Sequence, residues 1–191
     1  VKNEYNKVYK KQGASHINAY TTYDHTAYHQ IIPKNKLELF MWMERDRLMN
    51  AVFREFYTEL EVVKGERRTR IDSHPLGEVN LNFNSDFWMG TPYQWPVIGY
   101  LDDLNTMTKD HAQTFFDYYN PQNISLVLVG DFSTKKALAM AERYLGSIKL
   151  GPKIPELKVQ TIAQKAMKRM QSSAQSNPAV SLRFHTVPAG T

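Results

Sequence analysis

The chain has 191 residues, of which 42% are hydrophobic and 23% charged, enough for an ordinary globular core and too apolar for a disordered tail. Lys and Arg number 24 against 19 Asp and Glu, a net charge of +5, but the basic residues are scattered and form no run suited to a nucleic-acid arm. The absence of cysteine excludes a disulfide framework, thiolate zinc sites and cysteine nucleophiles, so a metal would have to be held by His, Asp or Glu.

No apolar stretch approaches the roughly 20 residues that span a bilayer. The opening residues are polar rather than signal-like, and because the first is Val1 rather than Met, the natural start and any targeting peptide are expected upstream. Val1 to Lys11 reads as the tail of a helix, with Tyr5, Val8 and Tyr9 at helical spacing and Gly13 as its stop. From His16 to Ile32 the strand formers Thr21, Thr22, Tyr23, Thr26, Tyr28, Ile31 and Ile32, divided near Asp24, predict a hairpin. After Pro33, the spacing of Leu37, Phe40, Met41, Leu48 and Val52 predicts an amphipathic helix.

Thr58 is the expected N-cap of the next helix, which Ser73, His74 and Pro75 interrupt before a helical stretch from Leu76 to Phe87. A loop from Gly90 to Gly99 follows. A third long helix is expected from about Thr108, burying Ala112, Phe115, Phe116 and Tyr119 and stopping at Asn120 and Pro121. Ile124 to Val129 is a continuous apolar run suited to a central strand, and Ser133 should cap a helix that buries Ala137, Met140, Ala141, Tyr144 and Leu145. The segment from Lys158 to Ser176 is poorly patterned, and Ala179 to Thr186 alternates as a strand with Val180, Leu182 and Phe184 on one face. Together these predict an α+β domain, an antiparallel or mixed sheet of the segments His16 to Ile32, Ile124 to Val129 and Ala179 to Thr186 with helices mainly on one face.

Among residues that could carry chemistry, Glu59 and Glu66 are seven apart on one predicted helix, a rotation of roughly 700° that returns them to the same face with Val62 and Val63 between them. Turned inward, such a stripe would need a cation, hydrogen-bond donors or a proton. Pairing with Arg67, Arg68 or Arg70, or plain solvent exposure, is the simpler reading of the spacing alone. His25 and His29 would lie roughly 13 Å apart on one side of a strand, too far for one ion, so they read as structural or exposed. His74 belongs to a helix break, and His16, His111 and His185 are isolated. Serine-hydrolase, phosphate-loop and dinucleotide signatures are absent.

The segment GASHINAYTTYDHTAY, Gly13 to Tyr28, resembles the Gly-rich Asn-Ala strand motif of the pitrilysin and insulinase family of zinc metallopeptidases, the inverzincins. Further along, ELEVVKGERR from Glu59 resembles that family's E-x6-E helix, GTPYQWPVIGYLDDLNTMT its Pro-Tyr…Gly loop and helix, and FFDYYNPQNISLVLVGDF its Tyr-Tyr-x-Pro…Val-Gly-Asp strand entry. The order and spacing fit over roughly Lys10 to Ile148.

The resemblance implies a zinc ion held by two histidines of an H-x-x-E-H helix and by a glutamate on a later helix, with the Glu of that motif as general base. By position Glu66 matches the third metal ligand, and Glu59 the supporting glutamate behind the metal shell. Asn18 and Ala19 match the edge-strand residues against which a substrate peptide pairs as an added strand. H-x-x-E-H itself occurs nowhere in the chain, and too few residues precede Glu66 to hold it at the family spacing.

The chain is therefore expected to be a fragment of a zinc-dependent metalloendopeptidase that hydrolyses peptides or unfolded segments, inactive by itself and binding zinc weakly or not at all. Residues 1–150 would form the metallopeptidase-like region without its H-x-x-E-H helix, and 151–191 a linker and strand leading onward. A noncatalytic homologue serving as scaffold or partner subunit is the alternative. The resemblance also implies a peptide substrate, a homologous second half-domain or partner subunit, and a periplasmic or secreted location.

Overall fold

The computed structural model describes residues 3–157, 159 and 164–187, arranged as two compact units that interleave along the chain. The first gathers Val1–Thr58 and Met107–Glu156, the second Glu59–Thr106 and Leu157–Thr191.

In the first unit, helix α1 (Glu4–Lys11) ends on two lysines, which suit the negative end of the helix dipole, and Gly13 takes a φ of 86° that a side chain would strain. Strands β1 (Ser15–Thr21) and β2 (Thr26–Ile31) form the expected antiparallel hairpin, with Asn18 opposite His29, Ala19 opposite Tyr28 and Thr21 opposite Thr26. Its turn is tied by Thr22, whose Oγ1 accepts from the backbone N–H groups of Asp24 and His25. Between Ser15 and Asn18, β1 advances three residues while β2 advances two, a one-residue bulge in which His16 adopts φ 51°.

Helix α2 (Leu37–Met49) buries Met41 completely, along with Met43 and Glu44. It packs on α7 (Thr134–Leu145), where Glu38 accepts from Arg143 Nη1 at 3.1 Å and from the Tyr144 hydroxyl at 2.8 Å. Ser133 caps α7 through Lys136 N–H as expected, and Ala137 is buried. Helix α6 (Lys109–Phe116) is capped reciprocally: the His111 N–H donates to Thr108 Oγ1, and the Thr108 N–H donates to the His111 ring.

The polar centre of this unit is Glu44. One carboxylate oxygen accepts from the Tyr5 hydroxyl and, at 3.3 Å, from that of Tyr9; the other accepts from Arg47 Nε at 3.0 Å and from Arg47 Nη2. Four donors on two oxygens use every lone pair of a buried carboxylate. The Arg47 guanidinium lies over the Tyr28 ring, 4.4 Å from its centroid, and the Tyr28 hydroxyl meets that of Tyr119 at 2.9 Å.

The second unit begins at Glu59 within α3 (Phe56–Arg67), which runs into a π-helical turn at Arg68–Asp72 before α4 (Gly77–Phe87) and α5 (Leu101–Thr106), and Leu60, Leu81 and Leu104 are buried. Ser73, His74 and Pro75 do break the helix: the His74 ring accepts from Leu76 N–H at 3.2 Å.

Several expectations are corrected. Among the described residues the sheet has two strands, β1 and β2; neither Ile124 to Val129 nor Ala179 to Thr186 pairs into it. Both segments have strand-forming composition but no neighbouring strand to take their backbone groups, and Val127 and Val129 are 78% and 92% exposed. Thr58 is not a cap, because α3 begins at Phe56. The long helix expected from Thr108 is the eight-residue α6, preceded by the separate α5, and Phe115 is 61% exposed rather than buried. Val52 lies beyond the end of α2 and is exposed. Val1 and Lys2 of the first helix and part of the Lys158 to Ser176 segment lie outside the described residues.

Burial, with the Glu44 charge second, pushes the Tyr5 hydroxyl up to about 12, and burial raises Tyr9 and Tyr28 as well. These phenols keep their protons in the folded state where the unfolded chain would lose them near pH 10. The stability they contribute is therefore complete below about pH 10 and falls as pH rises through 12. Denaturant titrations across that window should show the loss, and Tyr5→Phe should make it smaller, the part due to Tyr9 and Tyr28 remaining.

Candidate functional site

Asn18 and Ala19 sit on β1, just past the bulge. Among the described residues β1 pairs only with β2, so its other edge is open to a further strand. The Ala19 N–H donates to the Asn18 carboxamide oxygen at 2.9 Å, so the Asn18 side chain covers a main-chain donor of its own strand. Both residues are exposed. Tyr20 lies on the same face as Asn18, and the rings of His25 and His29 pack against it at 5.7 and 6.1 Å between centroids. These two histidines line an exposed aromatic face of the hairpin.

Glu59 and Glu66 lie on α3, and the structure corrects the inward orientation considered for their stripe. Leu60 and Arg67, each one position further along, are the buried residues, and a single step of roughly 100° around the helix carries both glutamates to the exposed side with Val62. Glu66 Oε1 is 3.1 Å from Arg70 Nη2, an i,i+4 pair between half-exposed side chains. The exposed face and the Arg70 pair agree with the simpler reading of the spacing, and the phase of the helix is set by the stripe that finds a partner.

That partner is supplied through Arg67, a residue that spacing did not single out. It is 4% exposed; its Nη2 donates to Glu78 Oε1 at 2.5 Å and lies 3.5 Å from Asp72 Oδ1, while Nε and Nη1 are buried without a protein partner among the described residues. Arg67 thus joins the end of α3 to the π turn and to the first turn of α4. A cleft of about 350 Å³ opens beside this corner, lined by Asp72, Ser73, His74, Pro75, Glu78 and Gln175. The corner is tight at Gly77, where an added Cβ would stand 1.9 Å from the Ile71 carbonyl oxygen, whereas Gly65, next to Glu66, has no atom within 4 Å of that position.

For zinc, the described residues supply one matched carboxylate, Glu66, and no group of three His, Asp or Glu side chains that could hold an ion. They do not by themselves fit a catalytic zinc site, which takes three protein ligands and a water.

Comparison with known proteins gives a consistent picture. Residues 106–191 match the family model described as the Peptidase M16 inactive domain. The chain is 32% identical over 151 residues to the zinc protease PqqE of Helicobacter pylori, covering 76% of this chain and 33% of that protein, and 28% identical over 141 residues to an uncharacterized zinc protease of Rickettsia felis, covering 72% and 34%. It therefore spans about a third of the length of these curated relatives. Among solved structures, a protease from Helicobacter pylori superposes with a TM-score of 0.69 at 28% identity, covering 83% of this chain and 38% of that one. The first half of the periplasmic protease PqqL from Escherichia coli gives 0.70 at 23% identity, covering 83% and 36%, a likeness of fold.

The two glycines beside the Glu66 corner should respond oppositely to alanine. Gly65→Ala, in open space inside a helix, should raise stability by about 1 kcal/mol, and Gly77→Ala should lower it by at least ~2 kcal/mol through the clash with Ile71. Paired urea denaturation curves would read both.

Proposed function

From its membership of the pitrilysin and insulinase family of zinc metallopeptidases, we propose that this chain is part of a zinc-dependent endopeptidase acting on peptides or unfolded segments bound as extended strands. The observation that carries the reading is the open edge of β1 at Asn18 and Ala19, in a chain that also presents Glu66 on an exposed helix face. An open strand edge is a sequence-tolerant receptor: main-chain hydrogen bonds provide affinity, and alternate side chains provide selectivity.

In this reading Asn18 and Ala19 take the substrate backbone, Glu66 contributes one metal ligand, and Glu59, about two helical turns earlier on the same face, supports it electrostatically. The remaining ligands and the general base would come from an H-x-x-E-H helix outside these residues. Residues 1–150 would be the metallopeptidase-like region and 151–191 the passage to a homologous second half-domain or partner subunit. By themselves the 191 residues would be inactive and hold zinc weakly or not at all. A periplasmic or secreted location is proposed by extension from the Escherichia coli relative, whose structure is described as that of a periplasmic protease. Among the described residues no helix is long and apolar enough to cross a membrane.

A second reading, a noncatalytic scaffold or partner subunit of the same family, is favoured by the description of the family model matching residues 106–191 as an inactive domain.

The two readings part in one experiment on the longer natural protein that contains this chain. As an endopeptidase it should hydrolyse an internally quenched peptide, lose that activity to a chelator and regain it with zinc, and Glu66→Gln, which removes a ligand outright, should lower the rate by at least the roughly 10- to 100-fold that loss of a ligand's supporting partner costs. Chelator-insensitive cleavage would overturn the zinc assignment, and no cleavage by metal-loaded protein would favour the scaffold.

A further inference from the structure

We propose that Arg47 is a positioning residue for the strand-pairing edge, acting through Tyr28 on Ala19; this rests on the reading of β1 as a peptide-binding edge. Among the described residues β1 has one strand neighbour, β2, and within that ladder the residue opposite Ala19 is Tyr28. The bulge at His16 and Ile17 interrupts the ladder just before Asn18, so the backbone that must present Asn18 and Ala19 in register gets little support from the N-terminal side of its own strand. Its support comes from across the ladder. The Tyr28 ring is held by the Arg47 guanidinium at 4.4 Å, and its hydroxyl by Tyr119 at 2.9 Å.

Arg47 is in turn held at its edge. Both of its carboxylate-facing nitrogens bond the same oxygen of buried Glu44, whose other oxygen is held by Tyr5 and Tyr9 of α1. A planar guanidinium fixed at its edge by a carboxylate offers its face to an aromatic ring in one orientation. The chain of contacts thus runs from α1 and α2 through Glu44 and Arg47 to Tyr28, at the ladder position opposite Ala19.

The expected function is preorganisation. A strand that adds to β1 must exchange the Asn18 contact on the Ala19 N–H for its own carbonyl, and a backbone already fixed in extended form loses less conformational freedom on pairing. Weakening Arg47 should therefore lower affinity for peptides of any side-chain composition, because the quantity altered is the order of the edge and not a pocket.

The test is an NMR titration of the 191-residue chain with a short, unstructured peptide rich in Val and Thr, following the β1 amides. Wild-type protein should show saturable shifts centred on Asn18 and Ala19. Arg47→Met should weaken binding roughly fivefold, the scale of one aromatic–cation contact, and Arg47→Lys should recover part of the loss. Since Arg47→Met leaves Glu44 buried without its cation and risks unfolding, Tyr28→Val provides the second arm: it keeps the ion pair, removes the ring and should weaken binding by a similar factor at a folded fraction confirmed by the same spectra. Wild-type affinity in Tyr28→Val would overturn the positioning role while leaving the edge reading intact. Absence of any β1 shift with the wild type would overturn the edge reading, and this inference with it.

Discussion

A carboxylate taken out of water must find donors for all its lone pairs or take up a proton, and Glu44 finds four from two helices. That requirement organises the first unit. Tyr5 and Tyr9 tie α1 to one oxygen of Glu44 on α2, and Arg47, which bonds the other, also lays its guanidinium over Tyr28 of β2. The apolar core around it is small, Met41 and Tyr9 being the large side chains with essentially no exposure. A buried pair of this kind contributes modestly to net stability compared with apolar packing of the same volume, but breaking it by removing one partner is costly. Its effect is on which arrangement is reached: a shifted helix would leave the charge uncompensated.

The second unit repeats the device with the sign reversed. Arg67 is buried at the end of α3 and is held by Asp72 and Glu78 from the segment that follows. Because consecutive residues on a helix are rotated by roughly 100°, burying Arg67 fixes the direction of Glu66, its neighbour in sequence. The exposed presentation of the proposed ligand is thus a consequence of a buried residue that touches no ligand. The π turn extends the same logic, since one extra residue per turn lets Asp72 come back toward Arg67 while Gly77 admits the Ile71 carbonyl beside α4.

What was legible in the sequence follows the range of the interactions concerned. The hairpin, the Ser133 cap, the Thr108 start and the break at His74 depend on residues within a few positions of one another, and all are found. The pairing of Tyr5 with Glu44 joins residues 39 apart, and no local pattern announces it. Glu59 and Glu66 could be placed on a common face by spacing but not aimed, because aim depends on Arg67 finding Glu78. The two missing strands fail for a related reason: Ile124 to Val129 has the composition of a central strand, yet a strand exists only with a neighbour to accept its hydrogen bonds.

The proposed activity divides along the same line. A strand edge and a lone carboxylate are incomplete in complementary ways: the edge can hold a backbone without reacting with it, and one oxygen ligand cannot hold zinc in a form that activates water. In the proposed reading each is positioned from behind, Ala19 through Tyr28 and Arg47, Glu66 through its buried neighbour Arg67. That is the arrangement expected of surfaces whose function depends on geometry supplied from elsewhere, because a site completed by a second element works only if the first already stands in its final position. Neither glutamate of the α3 face is needed to fold the helix, which buries Leu60 and Arg67 instead. Packing therefore leaves both on the exposed side, where glutamates ordinarily lie, and the roles proposed for them rest on the family resemblance and not on that exposure.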